Sequence, residues 1–372
     1  MTRPPPLRRA HAFLAHAVGG ALVGENYALG RPVPLGAAAA LVGALDGWTS
    51  TRTVEARLRA AGDPSPRATV LRLLSAGVLV ERSSRRDRED VALAGAWPWG
   101  PIAGGFWHLG RDAPWASVEG SLAWAAAKAR RRPPPTLPSA RPRAAVPLPA
   151  PRTRSGVLRH LLRRRSVRTF SDAPLSRAAL ADVLFAGLGV REVVHHPDLG
   201  DHPLRLAPSG GARQPVEGLV SVRRVRGLAP GLYRYDGLAR ALAPVRLGPQ
   251  AAGGALLGGQ AWVDGAAAIV FLEATWARTA WKYAHPAHLR AVLLEAGHVA
   301  QNLLVAACDL GLAAVPTCAF SAVLAEAAAG VEGPERGLVH AVVLGTPATA
   351  RAGPAAPSAP RPAGSPRPRA AR

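Results

Sequence analysis

Three basic side chains and a hydroxyl lie close together in the run 164–170, Arg-Arg-Ser-Val-Arg-Thr-Phe, which comes after apolar residues at helical spacing. Guanidinium groups with a hydroxyl between them can close on one phosphate through charge-assisted hydrogen bonds. The side chains concerned are Arg164, Arg165, Ser166 and Arg168. A solvated basic helix end has the same composition, so the run alone leaves both interpretations open.

A glycine pair lies in the turn-rich stretch 208–215, Pro-Ser-Gly-Gly-Ala-Arg-Gln-Pro. Gly210 and Gly211 follow Pro208 and Ser209, and glycines allow backbone N–H groups to approach a ligand closely. Taken alone, the stretch is equally typical of an ordinary loop.

A lysine and a tyrosine, Lys282 and Tyr283, are neighbours in the chain. Lysine can act as a base when burial lowers its pKa, and tyrosine can donate or relay a proton. The chain has 46 basic Lys and Arg residues, of which Lys128 and Lys282 are the two lysines. Lysine at position 282 therefore indicates that arginine would not serve there.

A polar group interrupts the apolar segment 289–309, which is predicted to form a long helix. His298 and Asn302 lie one turn apart on the same face, and Glu295 precedes His298 by three residues. Because buried polar groups must find hydrogen bonds, the group predicts a core network or a subunit interface.

Residues 195–202, His-His-Pro-Asp-Leu-Gly-Asp-His, have side chains of the kinds that bind metals. They crowd a Pro/Gly-rich loop without the regular spacing of zinc motifs. Two cysteines, Cys308 and Cys318, complete neither a disulfide framework nor a zinc site by themselves. We therefore predict no metal site.

The elements that position these groups lie in residues 156–348. Periodicity predicts helices over 157–164, 289–309 and 321–329, and another helix that begins after a Ser176 N-cap. Strands are predicted over 219–225, 232–235, 242–247, 267–273, 312–315 and 338–344. No regular βαβ repeat and no Gly-x-Gly-x-x-Gly after a strand is found, which favours an α+β fold over a dinucleotide-binding domain.

The N-terminal half is predicted to contain four segments. Residues 1–19 are expected to be a flexible basic terminus, and 20–90 a winged-helix-like module of three short helices with a hairpin-like end. Without a dense basic reading face, this module favours peptide docking or a structural role over DNA binding. Residues 91–127 hold five of the nine tryptophans, which indicates a domain junction or, alternatively, the entrance of a substrate channel. Residues 128–155 are expected to be a Pro/Arg-rich linker.

The net charge of +22 suggests nucleic-acid binding until it is mapped along the chain. Residues 1–19, 128–155 and the tail 349–372 carry many of the basic residues, no acids, and abundant Pro and Ala. Such segments, the tail included, are expected to be disordered, so a nucleic-acid partner is disfavoured. No apolar run is long enough for a membrane span, and we expect a cytoplasmic protein.

Five motifs in order resemble the SagB-type branch of the nitroreductase family. The family pattern Arg-Arg-Ser-x-Arg-x-Phe with a following Pro-Leu turn matches 164–175, and Pro-Ser-x-Gly matches 208–215. The remaining matches are Gly-Leu-x-x-Gly-Leu-Tyr-x-Tyr at 227–235, Lys-Tyr at 282–283 with Leu-Leu-Glu-Ala-Gly-His-x-x-Gln-Asn at 293–302, and a closing pattern at 311–345. Ala212, where broader nitroreductases often carry Asn, also favours this branch.

The resemblance implies a central mixed or antiparallel sheet flanked by helices, and FMN held at a homodimer interface. Arg164, Ser166 and Arg168 would grip the phosphate and ribityl chain, with Arg165 nearby, and residues 208–211 would contact the flavin. Backbone amides of Thr317, Cys318 and Ala319 would face the flavin edge. Lys282 and Tyr283 would remove a proton while a thiazoline or oxazoline ring is oxidised to an azole.

One departure leaves the substrate more open than the cofactor. The family pattern at this position is Lys-Tyr-Gly-x-Arg-x-Tyr-Arg. In this chain Tyr283 is followed by Ala-His-Pro-Ala-His-Leu-Arg. The expected partners are a peptide or small-molecule azoline and a complex with a cyclodehydratase. The alternatives are a general nitro- or ene-reductase, an oxidase of small-molecule or carrier-bound azolines, and a non-catalytic scaffold that binds peptide or DNA.

Overall fold

The computed structural model describes residues 4–109, 156–196, 200–283, 285–331 and 333–348. The predicted linker 128–155, the tail 349–372, and Trp115 and Trp124 lie outside these residues. The described residues form an N-terminal module, a helical connection and a larger α+β domain.

The N-terminal module is built on two small antiparallel sheets and three short helices. Its strands are β1 (Leu7–Arg9), β2 (Phe13–Val18), β3 (Ala21–Asn26), β4 (Val33–Pro34) and β5 (Leu79–Glu81). Its helices are α1 (Ala39–Gly43), α2 (Thr51–Ala60) and α3 (Pro66–Ser75). The Ser50 hydroxyl accepts the N–H of Thr53 and caps α2. The helices and β1 enclose a separate apolar core around Val54, Leu58 and Leu73.

The prediction that residues 1–19 are flexible is wrong for β1 and β2. Strand β1 pairs with β5, so the expected hairpin-like end does not form within 20–90. The Arg8 guanidinium is buried and binds the carboxylates of Asp87 and Asp90, both at 2.7 Å. Because those acids lie about eighty residues away, the local composition gave no sign of this pairing.

The main domain is organised around a six-stranded antiparallel sheet in the order β10-β9-β8-β11-β13-β12. The strands are β8 (Val216–Val222), β9 (Gly231–Asp236), β10 (Ala241–Leu247), β11 (Ala268–Thr275), β12 (Ala313–Thr317) and β13 (Arg336–Gly345). All but the last residue of the central strand β11 are buried, as expected for a sheet covered on both faces.

Helices cover both faces of this sheet. One face packs on α7 (Arg177–Leu188) and α10 (Leu289–Asp309), and the other on α11 (Ala322–Ala329) with the short α8 (Gly253–Leu256). The Ser176 hydroxyl accepts the N–H of Ala179, which confirms the predicted N-cap. The α+β class and the flanked antiparallel sheet are confirmed.

Helix α10 is long and apolar enough to span a membrane by length and composition. Its buried residues recur at intervals of three and four, from Leu289 through Val292 and Ala296 to Leu303. This stripe packs on α7 and the sheet, so the requirements of the protein core account for the apolar composition.

Two paired strands include part of the stretch 195–202, for which the sequence predicts a loop. Strands β6 (Val190–His196) and β7 (Gly200–Arg205) pair antiparallel and place His195 opposite Asp201. The His195 imidazole contacts the Asp201 carboxylate at 2.8 Å in an exposed position. The described residues contain no group of three or more His, Cys, Asp or Glu placed to hold a metal ion.

Two helices, α4 (Arg85–Ala96) and α5 (Gly100–Leu109), connect the N-terminal module to the main domain. Three tryptophans of this connection, Trp97, Trp99 and Trp107, pack against the fully buried Trp276 of the main domain. The described part of the tryptophan-rich segment therefore lies at a domain junction.

Candidate active site

Lys282 and Tyr283 lie directly against the glycine pair of the 208–215 loop. A Cβ built on Gly211 would lie 2.7 Å from the Tyr283 hydroxyl oxygen and 3.0 Å from the Lys282 Nζ. Gly211 has φ of +62°, a conformation that L residues rarely adopt. Two motifs separated by about seventy residues in sequence thus form one surface, with Lys282 exposed and Tyr283 half-buried.

The short helix α9 (Trp276–Ala280) precedes this pair and is tied to the same loop. The Arg278 guanidinium donates to the Gln214 carbonyl at 2.9 Å and to the Glu217 carboxylate at 2.6 Å. In return, Arg213 donates to the Arg278 carbonyl at 3.1 Å and lies over the Trp281 ring. These reciprocal bonds fix the loop and the Lys-Tyr segment relative to each other.

The rings around Tyr283 come from the segment where the sequence departs from the family pattern. The His288 imidazole stacks on the Tyr283 ring with centroids 4.8 Å apart and an interplanar angle of 18°. The Lys282 Nζ lies 5.7 Å from the centroid of the same ring. A residue of the segment that departs from the family pattern, His288, therefore covers one face of the Tyr283 ring.

A buried carboxyl group, that of Glu295, lies next to the 208–215 loop. Glu295 of α10 is 3% exposed, and its Oε1 is buried without a hydrogen-bond partner among the described residues. Burial raises the pKa of Glu295 to about 6, although the neighbouring Ser209 side chain, the charge of Arg205 and the Val216 backbone oppose the shift. The Ser209 hydroxyl accepts the N–H of Gln214 at 2.9 Å. Burial also lowers the pKa of Arg205.

The three polar residues of α10 that were predicted to form one network point in different directions. Glu295 faces the loop, His298 is exposed, and the Asn302 amide donates to the Ala186 carbonyl of α7 at 3.1 Å. The three residues therefore do not form one cluster, because the helix turns them toward different neighbours.

The arginine run follows α6 (Gly156–Arg163). It contacts the main domain at the aromatic ring of Trp262. The Arg168 guanidinium lies over the Trp262 ring at 5.7 Å, and Phe170 stacks on the same ring with centroids 6.3 Å apart. Arg164 is half-buried, whereas Arg165, Ser166 and Arg168 are exposed. Within the described residues, none of the three arginines forms an ion pair with an acid.

Trp262 connects this run to the turn 317–319. Its indole N–H donates to the Gln260 side-chain oxygen at 3.2 Å, and the Gln260 amide donates to the Ala319 carbonyl at 3.3 Å. The Thr317 hydroxyl accepts the Ala319 N–H at 3.0 Å, so one of the amides expected to face a ligand already has a partner.

His340 of β13 lies beside the same turn. Its Nδ1 is 2.9 Å from the Thr317 carbonyl oxygen and 3.2 Å from the Cys318 Sγ. The carbonyl can only accept, so Nδ1 carries the proton and donates it. Burial lowers the pKa of His340, which favours the neutral imidazole at pH 7.

The predicted site residues thus fall into two groups. One comprises residues 208–211 with Lys282 and Tyr283, and the other comprises the arginine run with residues 317–319. No hydrogen bond, ion pair or ring contact recorded among the described residues joins the two groups directly.

These groups are organised by four residues that the sequence does not single out, namely Trp262, Gln260, Arg278 and His340. Trp262, Gln260 and His340 have no spacing or local motif that indicates a role. Arg278 alone carried a weak signal, since it precedes Lys282 by one helical turn.

Comparisons with known proteins agree in pointing to one family. The sequence model of the nitroreductase family matches residues 161–346 of this chain. A putative nitroreductase of Methanocaldococcus jannaschii is 33% identical over 163 residues, which cover 43% of this chain and 77% of that protein.

Two solved structures show weaker similarity. A putative nitroreductase of Ralstonia eutropha is 22% identical with a TM-score of 0.45, covering 55% of this chain and 89% of that one. The E. coli microcin synthetase McbBCD complex with truncated pro-MccB17 bound is 17% identical with a TM-score of 0.48, covering 70% of this chain and 97% of that one. Similarity at this level supports no argument about activity.

Proposed function

The chain belongs to the nitroreductase family of flavin oxidoreductases, and on that premise we propose that it oxidises thiazoline or oxazoline rings to azoles in a ribosomally made peptide. The observation that carries the proposal is the contact of Lys282 and Tyr283 with Gly211. A proton-transferring pair beside the loop expected to contact the flavin is what a dehydrogenation at a ring carbon needs.

The residues present fit FMN as the cofactor. Arg164 and Arg168 have no acidic partner among the described residues, so both guanidinium groups are available to a phosphate, with the hydroxyl of Ser166 between them. A Cβ built on Gly210 meets nothing nearer than 3.8 Å, so the loop leaves room for a ring there, whereas Lys282 and Tyr283 occupy the space at Gly211. When bound, FMN supplies a two-electron acceptor that takes a hydride from the substrate and passes the electrons to dioxygen.

The chain's own residues bind and orient the azoline and move one proton. Lys282 and the Tyr283 hydroxyl both lie beside Gly211, where either side chain can take up the proton that leaves the ring carbon of a bound azoline. Stacking on His288 holds the Tyr283 ring in one orientation. The ties from Arg213 and Arg278 keep the pair in place without contacting the substrate.

We further propose a homodimer, a peptide-docking or structural role for the N-terminal module, a cytoplasmic location and association with a cyclodehydratase. Support for the homodimer comes from α6, which has no buried residue and exposes Val157, Leu161 and Leu162. Helix α10 exposes Leu294 beside the loop.

The test begins with the absorbance spectrum of the purified protein and mass identification of any ligand released by heat. We expect flavin bands and FMN. The protein is then incubated with a thiazoline peptide under air. Mass spectrometry detects formation of the azole as a loss of two mass units from the peptide.

Turnover should be abolished in Lys282→Ala while FMN stays bound. Normal turnover in this variant would exclude the proposed base. A requirement for reduced nicotinamide with no azole formed would favour a general reductase, and a colourless protein that takes up no FMN would favour the scaffold.

A further inference from the structure

A buried tryptophan of the connecting segment holds the backbone of the Lys-Tyr pair. Trp99 lies between α4 and α5 and is 2% exposed. Its indole N–H donates to the Tyr283 carbonyl at 3.1 Å, across 184 residues of sequence. Buried indole N–H groups usually have a hydrogen-bond partner, and the partner of the Trp99 indole belongs to the candidate active site.

The aromatic cluster extends this attachment to the start of the Lys-Tyr segment. The rings of Trp97 and Trp99 lie 5.5 and 6.3 Å from the Trp276 ring, edge to face. Trp276 is the first residue of α9, and the turn containing Lys282 and Tyr283 follows that helix directly. The connecting segment therefore contacts the Lys-Tyr segment at both its first residue and its last.

Among the described residues of the main domain, hydrogen bonds hold the N–H groups of the Lys-Tyr pair but not the Tyr283 carbonyl. The N–H groups of Lys282 and Tyr283 donate to the Thr279 carbonyl at 3.2 and 3.0 Å, which fixes the N-terminal side of each residue. Among the described residues, Trp99 is the recorded hydrogen-bond donor to the Tyr283 carbonyl. The orientation of the peptide after Tyr283 thus depends on a residue outside the family-matched region.

We propose that Trp99 is a positioning residue for proton transfer, so that the segment before the nitroreductase-like domain forms a working part of its active site. The inference rests on the proposed function for its chemistry and on the Trp99–Tyr283 bond for its geometry. Loss of the bond frees the Tyr283 carbonyl, and the side chains of Lys282 and Tyr283 then sample other positions over Gly211. Displacement of reacting groups by about 1 Å can lower a rate by roughly 100-fold.

The variant Trp99→Phe removes the indole N–H, and Trp97→Phe is its matched control. Trp97 is 3% exposed and packs in the same cluster, but its indole N–H donates locally to the Gly100 carbonyl at 2.8 Å. Both variants remove the same atoms from the same core, so we expect similar losses of thermal stability. We expect Trp99→Phe alone to lower kcat for azoline oxidation, by roughly tenfold or more, with KM and FMN affinity unchanged.

A second measurement needs no substrate. The chain has four tyrosines, Tyr27, Tyr233, Tyr235 and Tyr283. The FMN-loaded protein labelled with 3-fluorotyrosine should therefore give a simple fluorine NMR spectrum in which Tyr283→Phe assigns the signal of interest. We expect that signal to shift or broaden in Trp99→Phe and to keep its wild-type position in Trp97→Phe.

The two measurements separate failure of this inference from failure of the proposed function. A Tyr283 signal that is the same in both variants, or an equal loss of kcat in both, would overturn the positioning role. An unreactive wild-type protein with the expected fluorine shifts would reject azoline oxidation and leave the positioning role supported. If Trp99→Phe does not fold, Trp99→Leu repeats the test with a flexible apolar side chain.

Discussion

Gly211 combines a left-handed backbone with closely placed neighbours, so a single methyl group should have two separable effects. The variant Gly211→Ala carries the backbone penalty of φ +62°, about 1 kcal/mol of stability, and its Cβ displaces Tyr283 and Lys282. We expect a kcat at least roughly tenfold lower, because the pair cannot keep its position. Steady-state kinetics and urea unfolding measure the two effects.

Gly62 provides the control for that substitution. It has φ of +83°, and a Cβ there meets nothing within 4 Å. Gly62→Ala should therefore lose similar stability with normal kcat. Equal kinetic losses in both variants would show that the loss follows general destabilisation and not the contact with Lys282.

The buried carboxyl of Glu295 makes stability depend on pH in an uncommon direction. Its pKa of about 6 in the folded protein lies above the ordinary value of 4.5, so the folded state binds the proton more tightly than the unfolded state. Stability from this group is therefore fully present below about pH 4.5 and lost as pH rises through 6. The loss at neutral pH amounts to about 2 kcal/mol.

Glu295→Gln should accordingly be more stable than the wild type at pH 7.5, by up to about 2 kcal/mol, with the difference vanishing near pH 4.5. Urea unfolding across this pH range measures the change. Glu89→Gln, which removes an exposed carboxylate from α4, controls for the lost negative charge. A variant that is less stable than the wild type at every pH would show that the carboxylate, not the acid, is the favoured form.

Sequence reasoning found those site residues that belong to motifs. The arginine run, the glycine pair and the Lys-Tyr pair each carry a local pattern, and the structure brings the last two into contact. Trp262 and Gln260 have no such pattern, because their role arises from tertiary neighbours. The direction of Glu295 also depends on how α10 is rotated against the sheet, which periodicity fixes only approximately.

At the scale of elements, α6 presents an apolar face that the described residues leave exposed. Leu162 is 57% exposed, beside Val157 and Leu161. If a second copy covers this face, Leu162→Glu should shift the protein from dimer to monomer and weaken FMN binding with it. Light scattering after size-exclusion chromatography measures the mass.

Leu71 on α3 is the matched control, since it is 59% exposed in the N-terminal module. Leu71→Glu should leave the mass unchanged. A wild-type protein that is already monomeric, or a Leu162→Glu variant that remains dimeric, would exclude this face as the interface.

Elements with strong periodicity were predicted well, and those without it were missed. The predicted helix 289–309 has the observed bounds, and the predicted strand 219–225 is displaced by three residues from β8. The stretch 195–202 is predicted as a loop, because His, Pro and Gly obscure the alternation at the ends of β6 and β7. Strands β1 and β2 lie in a basic, proline-rich terminus whose composition suggested disorder, but pairing with β5 and β3 outweighs that propensity.

For the molecule as a whole, the aromatic cluster should make the two domains unfold together. Trp276 is fully buried and contacts Trp97, Trp99 and Trp107. Trp276→Ala should cost about 3–5 kcal/mol, as for other large buried aromatic residues, and should split one calorimetric transition into two. Trp48→Ala, at a partly exposed ring of the N-terminal module, should keep a single transition.

Domain organisation was the least predictable level. Sequence composition separated an N-terminal module from residues 156–348, but it could not show that Arg8 pairs with Asp90 or that Trp99 reaches Tyr283. Both contacts join residues more than eighty positions apart. Long-range pairs of this kind leave no periodic signal, so only the folded arrangement reveals them.

The two outer strands of the main sheet each contain a proline, Pro244 in β10 and Pro316 in β12. Proline has no N–H to offer an incoming strand, and β10 also carries a register shift between Pro244 and Arg246. The sheet is therefore terminated on both sides and protected against extension by further strands. High protein concentration should therefore not lead to edge-to-edge fibrils from this sheet.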